Sequence, residues 1–459
     1  MAEASDEDWA AAEFGTAELG DARRRKRLLT LARRLASAPH CSLPQALSRA
    51  ELKAAYRFFD NEQVDPEGIL APHTAQTIAR MRKLPVVLVA CDSTEFNLTH
   101  LAATTGLGHG SQAHLRGFFM HSQLALAPEG LPLGVVGLKC WARDLAALGQ
   151  RHRRRSRALA EKESAKWVQG LGQLKRLASH CADTTIVAVC DREADLYELF
   201  AEPRAPNVHW LVRAAWDRRV AHPQAHLWAA MAAAPLLGSR ELAVPARDKA
   251  SARRAQLALR AATVRLRRPT RRRAGALPTE VEVHALWAIE TDPPAGAEPI
   301  EWLLLSSAPI ADYDQACERL DWYARRWTIE SWHRVLKSGC RIEARQFGSL
   351  ERFVRATALF AVIAWRILYA TWLARLEPAL SCEVLLTRPE WQALYCRTHA
   401  SASPPKRAPT LAEAIAWVAR LGGYLGRKHD RPPGPTVLWR GFLALHEITQ
   451  IYLILRKHE

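Results

Sequence analysis

The sequence predicts a mixed α/β core with a helical region on each side of it. Between residues 84 and about 378, apolar runs of strand length alternate with helix-patterned stretches, as expected for a mixed sheet covered by helices. Residues 1–72 and 379–459 instead carry Ala- and Leu-rich stretches with helical spacing. A chain of 459 residues is too long for one compact core, so we expect roughly two to four domains.

Two segments of the N-terminal helical region combine charge with helical patterning. Residues 19–28 begin with Gly-Asp, and Asp21 suits a helix N-cap. The basic residues that follow, among them Arg23, Arg24 and Arg27, run on into a leucine-rich stretch and therefore belong to a structured helix. Residues 51–61 mix charged and aromatic side chains. For either segment, a solvated helix face is as good an interpretation as a functional surface.

The strands and helices of the core follow an informative order. Strand-like runs at 84–91, 122–127 and 133–138 come first, and Pro128-Glu129-Gly130 forms a hairpin turn between the last two. The next elements are a polar helix of about 151–180, the strand 185–190, a helix from 193 to about 202 and the strand 208–213. Three antiparallel-type strands, a helix and then alternating strands and helices are typical of a ribonuclease-H-like core.

An arginine-rich segment interrupts this core at about 244–300, before a strand at 301–306. We interpret it as a basic, β-rich insertion, although a disordered cationic loop remains an alternative around 265–275. The predicted domains are therefore 1–72, 73–378 with the insertion, and 379–459. In the last of these, residues 411–421 and 438–455 have helix-spaced apolar positions, which indicate core or partner packing.

Composition indicates the partner and the compartment. The net charge of +17 and the pI of about 9.8 predict a polyanionic partner. Nine scattered cysteines without a C-x-x-C pair favour a reducing cytosol and argue against disulfides or a cysteine zinc site. The N-terminus lacks a signal-peptide core. The most apolar stretch, 356–374, is interrupted by Arg366, so we expect a buried helix and no membrane partner.

Glu330 lies in a helix-patterned stretch that also carries basic and aromatic residues at helical spacing. At about 100° per residue, Tyr323, Arg326, Glu330 and Lys337 fall within a stripe of about 60°. Ile329, Trp332, Val335 and Leu336 lie on the opposite side and can be buried. A purely structural ion pair between Arg326 and Glu330, stabilising by only a few tenths of a kcal/mol, would explain part of this pattern.

Two aspartates follow apolar strand-like runs. Asp92 comes directly after the run 84–91 and Asp191 after 185–190. Acids at strand ends lie where α/β folds place active sites, although many are only turn formers or helix caps. Three carboxylates on rigid elements, Asp92, Asp191 and Glu330, are what a pair of divalent metals needs in order to hold a phosphodiester.

These residues resemble the motifs of a known family. Tyr323-x2-Arg326-x3-Glu330-x6-Lys337 resembles the Y-R-E-K signature of DDE transposases of bacterial insertion sequences, the family-four type. Residues 91–94 and 189–195 are similar to the segments that hold this family's two aspartates. Residues 9–27 and 55–58 resemble its N-terminal DNA-binding domain, and 116–122, 161–167 and 419–423 are also similar to family segments.

The resemblance implies a cut-and-paste transposase. Asp92, Asp191 and Glu330 would hold two Mg²⁺ or Mn²⁺ ions for nicking at the element end, hairpin formation, hairpin opening and strand transfer. The partners would be double-stranded DNA, as transposon ends and target, and a second copy of the chain paired through the C-terminal helices. The N-terminal helices, with Arg23, Arg24 and Arg27, would bind the inverted repeats. A bacterial cytoplasmic, nucleoid-associated location follows.

The resemblance also implies roles for the basic and aromatic residues that accompany the acids. Tyr323, Arg326, Lys337 and Arg213 would bind phosphates beside the cut, and Trp302 would stack on a flipped base; a buried strand tryptophan is the alternative for Trp302. The chain departs from the expected pattern in its arginine-rich insertion and in Ala214-Ala215, which follow Arg213 without another cation. Alternative functions are a non-catalytic DNA-binding repressor and a metal-dependent DNA nuclease on the same fold.

Overall fold

The N-terminal region is helical, as predicted. The computed structural model describes residues 8–147, 149, 159–244, 253–270, 277–427, 430 and 432–456. Its first helices are α1 (Trp9–Phe14), α2 (Ala22–Ser37), α3 (Leu43–Ala46), α4 (Arg49–Asp60) and α5 (Pro66–Met81). Asp21 is the predicted N-cap of α2, and its carboxylate accepts a hydrogen bond from the Arg23 N–H at 2.8 Å. A Ser48–Glu51 capping box begins α4 in the same way.

In the described residues, ten strands form a single mixed sheet. They are β1 (Val86–Asn97), β2 (Gly108–His109), β3 (Arg116–Leu126), β4 (Pro132–Trp141), β5 (Thr185–Cys190), β6 (Val208–Arg213), β7 (Leu236–Val244), β8 (Arg253–Arg267), β9 (Glu280–Glu290) and β10 (Glu301–Ser306). The order across the sheet is β2-β3-β1-β5-β6-β10-β9-β8-β7, and β4 pairs with β3. β1, β5 and β6 are parallel, whereas the other pairings are antiparallel. The predicted mixed α/β class is therefore confirmed.

Two strand predictions differ in outcome. The predicted hairpin is present, and its turn uses Gly130 at a φ of 102°, a conformation that a side chain would disfavour. The first strand, however, is longer than the predicted 84–91, because residues 92–97 continue to pair with β3 after the parallel partner β5 has ended. Asp92 therefore lies within β1, opposite Ser122, and not at its end.

The predicted arginine-rich insertion extends the sheet. β7, β8 and β9 continue the same sheet through β10, which pairs with β6 on one side and β9 on the other. Residues 265–267, where a loop was an alternative, belong to β8. Residues 245–252 and 271–276 lie outside the described part of the chain.

Helices cover both faces of the sheet. The remaining helices are α6 (Ala165–Ala178), α7 (Tyr197–Ala201), α8 (Leu227–Ala233), α9 (Tyr313–Arg325), α10 (Trp327–Arg334), α11 (Leu350–Leu376), α12 (Arg388–His399), α13 (Leu411–Leu421) and α14 (Pro435–Leu455). α6, α7 and α8 pack on one face, and α9, α10 and α11 on the other together with the N-terminal helices. α12, α13 and α14 form a third apolar cluster around Leu373. The start of the helix predicted from 151 lies in residues 151–158, which are not described.

α11 is the predicted apolar helix. Among the described residues it is the one helix whose length and composition would let it cross a membrane, but 78% of its most apolar stretch is buried inside the protein. Its side chains fill the space between the sheet and the N-terminal helices, and the indole of Trp332 donates a hydrogen bond to the Ala361 carbonyl at 3.1 Å. α11 therefore serves as a core helix, as predicted.

Candidate active site

Three elements bring Asp92, Asp191 and Glu330 near one another, at the point where the parallel pairing of β1 and β5 ends. Cys91 and Cys190 are register partners on the parallel strands β1 and β5, so Asp92 and Asp191, each one residue further along, emerge side by side. Glu330 comes from α10, which packs across β1. Ile329 and Trp332 anchor this helix, and Val335 and Leu336 anchor the turn that follows it; these are the four residues predicted to be buried, and none of their side chains is exposed.

Arg326 lies between the acids. Its guanidinium donates a hydrogen bond to Glu330 at 2.8 Å, and another of its nitrogens is 3.8 Å from an Asp92 carboxylate oxygen. Only 7% of Arg326 is exposed. Burial alone would lower its pKa, but the facing Tyr323, Asp92 and Glu330 raise it overall. Arg326 is therefore a fixed positive charge inside the acid cluster.

One arginine does not neutralise this cluster. Burial raises the pKa of Asp92 to about 7; Arg326 opposes this shift, whereas the neighbouring charges of Asp191 and Glu330 add to it. Burial also raises the pKa of Asp191, although the Glu193 N–H donates a hydrogen bond to its carboxylate at 2.9 Å. Two of the three acids thus resist ionisation as they stand, and an additional cation would relieve their repulsion.

The donor set suits a hard divalent cation. Carboxylate oxygens are the ligands that Mg²⁺ and Mn²⁺ prefer, and the mutual repulsion of the acids favours a cation between them. Within the described residues, no three His, Cys, Asp or Glu side chains converge on one point closely enough to bind a single ion. The Arg326–Glu330 hydrogen bond directs that carboxylate towards the guanidinium, so Glu330 would have to exchange this partner to bind a metal.

Two buried histidines that the sequence did not single out support Asp92. The Ser122 hydroxyl is 2.8 Å from Nε2 of His333, whose Nδ1 is 3.8 Å from the Asp92 carboxylate. On the neighbouring residue, the Ser93 hydroxyl is 3.0 Å from Nδ1 of His121. Burial lowers the pKa of both histidines to about 3, so both are neutral at physiological pH. The i, i+3 spacing of Glu330 and His333 on one helix was the signal for His333.

Three of the predicted DNA-contacting residues adjoin the acids. The ring of Trp302, on β10, packs edge-on against Tyr323 with the ring centroids 5.0 Å apart. Tyr323 itself is buried, and Arg326 and Arg213 both act on its pKa. Arg213 is half-buried and donates a hydrogen bond to the Glu301 carbonyl at 2.9 Å. Trp302 thus covers the tyrosine as a half-buried strand residue.

Lys337 and the N-terminal arginines have other surroundings. The chain forms a π-helical turn at Val335–Gly339, and Lys337 donates a hydrogen bond to the Glu95 carbonyl on β1. Arg23, Arg24 and Arg27 lie on α2: Arg23 bonds Asp21, Arg24 bonds the Leu19 carbonyl, and Arg27 is exposed. The structure therefore does not bring these three arginines to the acid cluster.

Most of the described arginines on β8 form ion pairs and are therefore less able to bind a polyanion than their number suggests. Cross-strand glutamates face most of those described on β8: Arg254 pairs with Glu241 at 2.6 Å and Arg265 with Glu282 at 3.6 Å. Arg267 lies 3.7 Å from Glu280, and Arg253 is bonded to the buried Glu290. Such pairs cancel much of the positive field of these strands. The described part of the insertion is consequently not a broad basic surface.

Comparison with known protein families identifies both ends of the chain. Residues 6–64, which include α1 to α4, match the transposase DNA-binding family. Residues 362–453, from within α11 to α14, match the Tn5 transposase dimerisation domain. The two ends of the chain are thus similar to the DNA-binding domain of transposases and to the dimerisation domain of Tn5-type transposases. The DNA-binding and dimerisation matches indicate DNA and a second copy of the chain as partners, and the similarity to transposases implies phosphoryl transfer on DNA. The acid cluster lies between the two matched segments.

Proposed function

We propose that this protein is a Tn5-type DNA transposase, which excises a DNA element at its terminal inverted repeats by nicking, hairpin formation and hairpin opening, and joins it to target DNA. Asp92, Asp191 and Glu330 are the proposed catalytic acids. The observation that carries the proposal is that Asp191 and Glu330 lie near enough to Asp92 for their charges to raise its pKa, in the segment between the DNA-binding and dimerisation matches. We also propose a ribonuclease-H-like core, which the antiparallel β4-β3-β1 strands followed by parallel β5 and β6 support.

The proposed cofactor is a pair of Mg²⁺ or Mn²⁺ ions held by Asp92, Asp191 and Glu330. When bound, such ions supply Lewis-acid stabilisation of the attacking and leaving oxygens of a phosphodiester. The chain's own contribution is to fix the acids on two strands and a helix, so that little reorganisation is needed at the moment of reaction. His333 and Ser122 are buried beside Asp92 and occupy its core side.

The basic and aromatic residues around the acids would position DNA. Arg326, which bridges Asp92 and Glu330, can turn to a phosphate once those carboxylates have another partner, and Arg213 and Tyr323 lie directly beside it. Lys337 adds a cation on the β1 side of α10. Trp302 would stack on a displaced base, and Arg23, Arg24 and Arg27 would contact the inverted repeats through α2. We propose domains of 1–72, 73–378 and 379–459, and a bacterial cytoplasmic, nucleoid-associated location.

The decisive experiment combines acid substitutions with DNA substrates. Asp92→Asn, Asp191→Asn and Glu330→Gln should each reduce cleavage of an inverted-repeat duplex in Mg²⁺ below detection, because each removes a metal ligand. Duplex binding in the absence of divalent metal should change less than about threefold, since the recognition surface is elsewhere. Gel separation of nicked, hairpin and joined products measures the first effect, and a mobility-shift titration the second.

Asp183→Asn is the matched control, because it removes an exposed acid just before β5, at the strand end opposite Asp191. This variant should cleave like the wild type. Retained cleavage in any of the three acid variants would contradict the site assignment. Cleavage by the wild type without joining would identify a nuclease, and binding without any cleavage would identify a repressor.

A further inference from the structure

Trp216 is exposed beside the acid cluster. It lies in the connection that follows β6, and 65% of its surface is accessible. Because β5 and β6 are parallel and Cys190 is the register partner of Val212, this connection leaves the sheet at the same edge as Asp191. An indole with this exposure, next to a site for DNA, is a candidate contact surface for a base.

The loop around Trp216 is held rigidly by a buried acid. The Asp195 carboxylate accepts hydrogen bonds from the backbone N–H groups of Ala215 at 2.7 Å and Trp216 at 3.0 Å. Arg218 donates to the other carboxylate oxygen at 2.7 Å and to the Asp195 carbonyl at 2.7 Å. Asp217 then fixes the far side of the loop by accepting a hydrogen bond from the Trp228 N–H at 3.0 Å.

This anchoring has a consequence for the side chain. A mobile loop would let an indole fold back onto apolar surface, whereas a backbone fixed at residues 215 and 216 keeps Trp216 in solvent. Asp195 is itself only four residues beyond Asp191 and is separated from it by the short 3-10 helix Arg192–Ala194. The backbone of Trp216 is therefore held in a fixed position relative to Asp191.

Two exposed cations lie close to this loop along the chain. Arg192, next to Asp191, and Arg219, three residues beyond Trp216, are both exposed, and neither forms an ion pair with any described residue. Arg213, at the end of β6, adds a third charge. An aromatic face with cations beside it is the arrangement by which proteins hold unpaired nucleotides, because the face stacks on a base and the cations contact phosphates.

We infer that Trp216 stacks on an unpaired base of the DNA strand held at the acid cluster, and that Arg192 and Arg219 contact the phosphates beside that base. This inference rests on the proposed function. It assigns a second aromatic contact in addition to Trp302, on a different element: Trp302 is half-buried against Tyr323, whereas Trp216 projects from a rigid loop. The stacking needs a free base face, so the contact forms only where the duplex is opened near the cut.

Two duplexes with the inverted repeats that flank the coding region test this inference. One is fully paired, and the other has two mismatched bases beside the cleavage position. In Ca²⁺, Trp216→Ala should bind the mismatched duplex about 5- to 100-fold more weakly than the wild type does, as expected for one lost stack. Its binding to the paired duplex should stay within about twofold, and Trp216→Phe should restore most of the difference. Leu425→Ala, a remote and equally exposed site, should behave like the wild type on both duplexes.

Photo-crosslinking gives a direct readout. With 5-iododeoxyuridine at each mismatched position, the wild type should crosslink through the peptide that contains Trp216, and Trp216→Ala should lose this product while its thermal melting is unchanged. Equal loss of affinity for both duplexes, no loss, or crosslinks only to other peptides would overturn the inference. Wild-type cleavage in Mg²⁺ distinguishes failure of the stacking inference from failure of the proposed function. If the protein cleaves but Trp216→Ala has no effect, only the stacking inference is wrong. If Trp216 crosslinks but the protein does not cleave, the stacking inference is supported and the catalytic proposal is wrong.

Discussion

Buried carboxylates in this protein differ in how their charge is balanced. One carboxylate oxygen of Asp195 accepts hydrogen bonds from two backbone N–H groups and the other lies against two nitrogens of Arg218, so its charge is compensated inside the fold. Asp92 has one backbone N–H and a distant guanidinium, and two further acids face it. The first is a structural anchor, and the second is a site that needs an external cation. The distinction lies in the surrounding donors and is invisible in the sequence.

At the residue scale, His73 couples stability to pH. It is fully buried: its Nδ1 is 2.5 Å from the Glu13 carboxylate, and its Nε2 accepts a hydrogen bond from the Val135 N–H at 2.9 Å. Burial lowers its pKa, which Arg80 reinforces and Glu13 opposes. A second proton on Nε2 would face the Val135 N–H, so the folded protein keeps the neutral ring.

Acidification should therefore destabilise the protein. The unfolded chain takes up a proton on His73 below its ordinary pKa of 6.5 and the folded protein does not, so the free energy of unfolding falls as pH drops below about 6.5. His73→Gln should flatten this dependence by up to about 1.4 kcal/mol per pH unit. Urea denaturation at pH 7 and 5 measures it, with exposed His114→Gln as control. An unchanged slope in His73→Gln would contradict the assignment.

At the element scale, the helix that carries Glu330 departs from the ideal geometry used to predict it. The hydrogen bonding breaks at Arg326, which ends α9 and precedes α10, and a π-helical turn follows at Val335–Gly339. The stripe predicted at about 100° per residue therefore holds for Arg326 and Glu330, which bond each other. Lys337 lies beyond the start of the π-helical turn, where the ideal spacing no longer applies, and its side chain donates a hydrogen bond to the Glu95 carbonyl on β1, the strand that also carries Asp92.

The C-terminal helices depend on two glycines at their crossing. A Cβ on Gly441 would lie 1.9 Å from the Val418 carbonyl oxygen, and one on Gly422 would lie 1.8 Å from that of Val437. α13 and α14 therefore approach at backbone distance. The family-like segment 419–423 has its physical explanation here: Gly422 permits the contact, and Gly423, at a φ of 94°, ends α13.

A pair of glycine substitutions tests this crossing. Gly441→Ala should lower the free energy of unfolding by about 1–3 kcal/mol, because the helices must separate to admit the methyl group. Gly172→Ala in α6 is the matched control: nothing lies within 4 Å of the added carbon, so the better helix propensity should raise stability by about 0.5–1 kcal/mol. Thermal and urea unfolding of both variants measure the effects, and a Gly441→Ala protein as stable as the wild type would refute the close approach.

At the scale of the whole molecule, the net charge of +17 is not equally free to bind DNA in every element. Arginines of α2 are exposed, whereas those of β8 are largely paired with glutamates. DNA binding should weaken log-linearly with salt, by about a thousandfold or more between roughly 50 and 200 mM if six or more phosphates are contacted. Arg27→Ala should reduce the slope by about one, and Arg265→Ala should leave it unchanged. Fluorescence anisotropy at several salt concentrations measures the slope, and a flat response would refute the basic-surface argument.

The end of α14 carries an apolar face that the described part of the chain leaves open. Ile451, Ile454 and Leu455 lie at i, i+3 and i+4 and are each about 60% exposed. Since this helix belongs to the dimerisation match, we expect Ile451→Asp and Ile454→Asp to weaken self-association at least tenfold. Sedimentation with and without DNA measures the effect. Leu425→Asp, equally exposed but off this helix, is the control, and a normal dimer in the α14 variants would exclude this face.

The sequence by itself determined the mixed α/β class, the hairpin at Gly130, the N-cap at Asp21, the buried face of α10 and the buried character of α11. These features follow from local periodicity and turn chemistry, which act over a few residues. Only the tertiary structure decided that β1 continues past Asp92, that β7 to β9 extend the main sheet, that four arginines of β8 pair with glutamates, and that His121 and His333 are buried beside the strand that carries Asp92. Each of these depends on pairing between residues far apart in the chain, where long-range packing and charge compensation outweigh any local pattern.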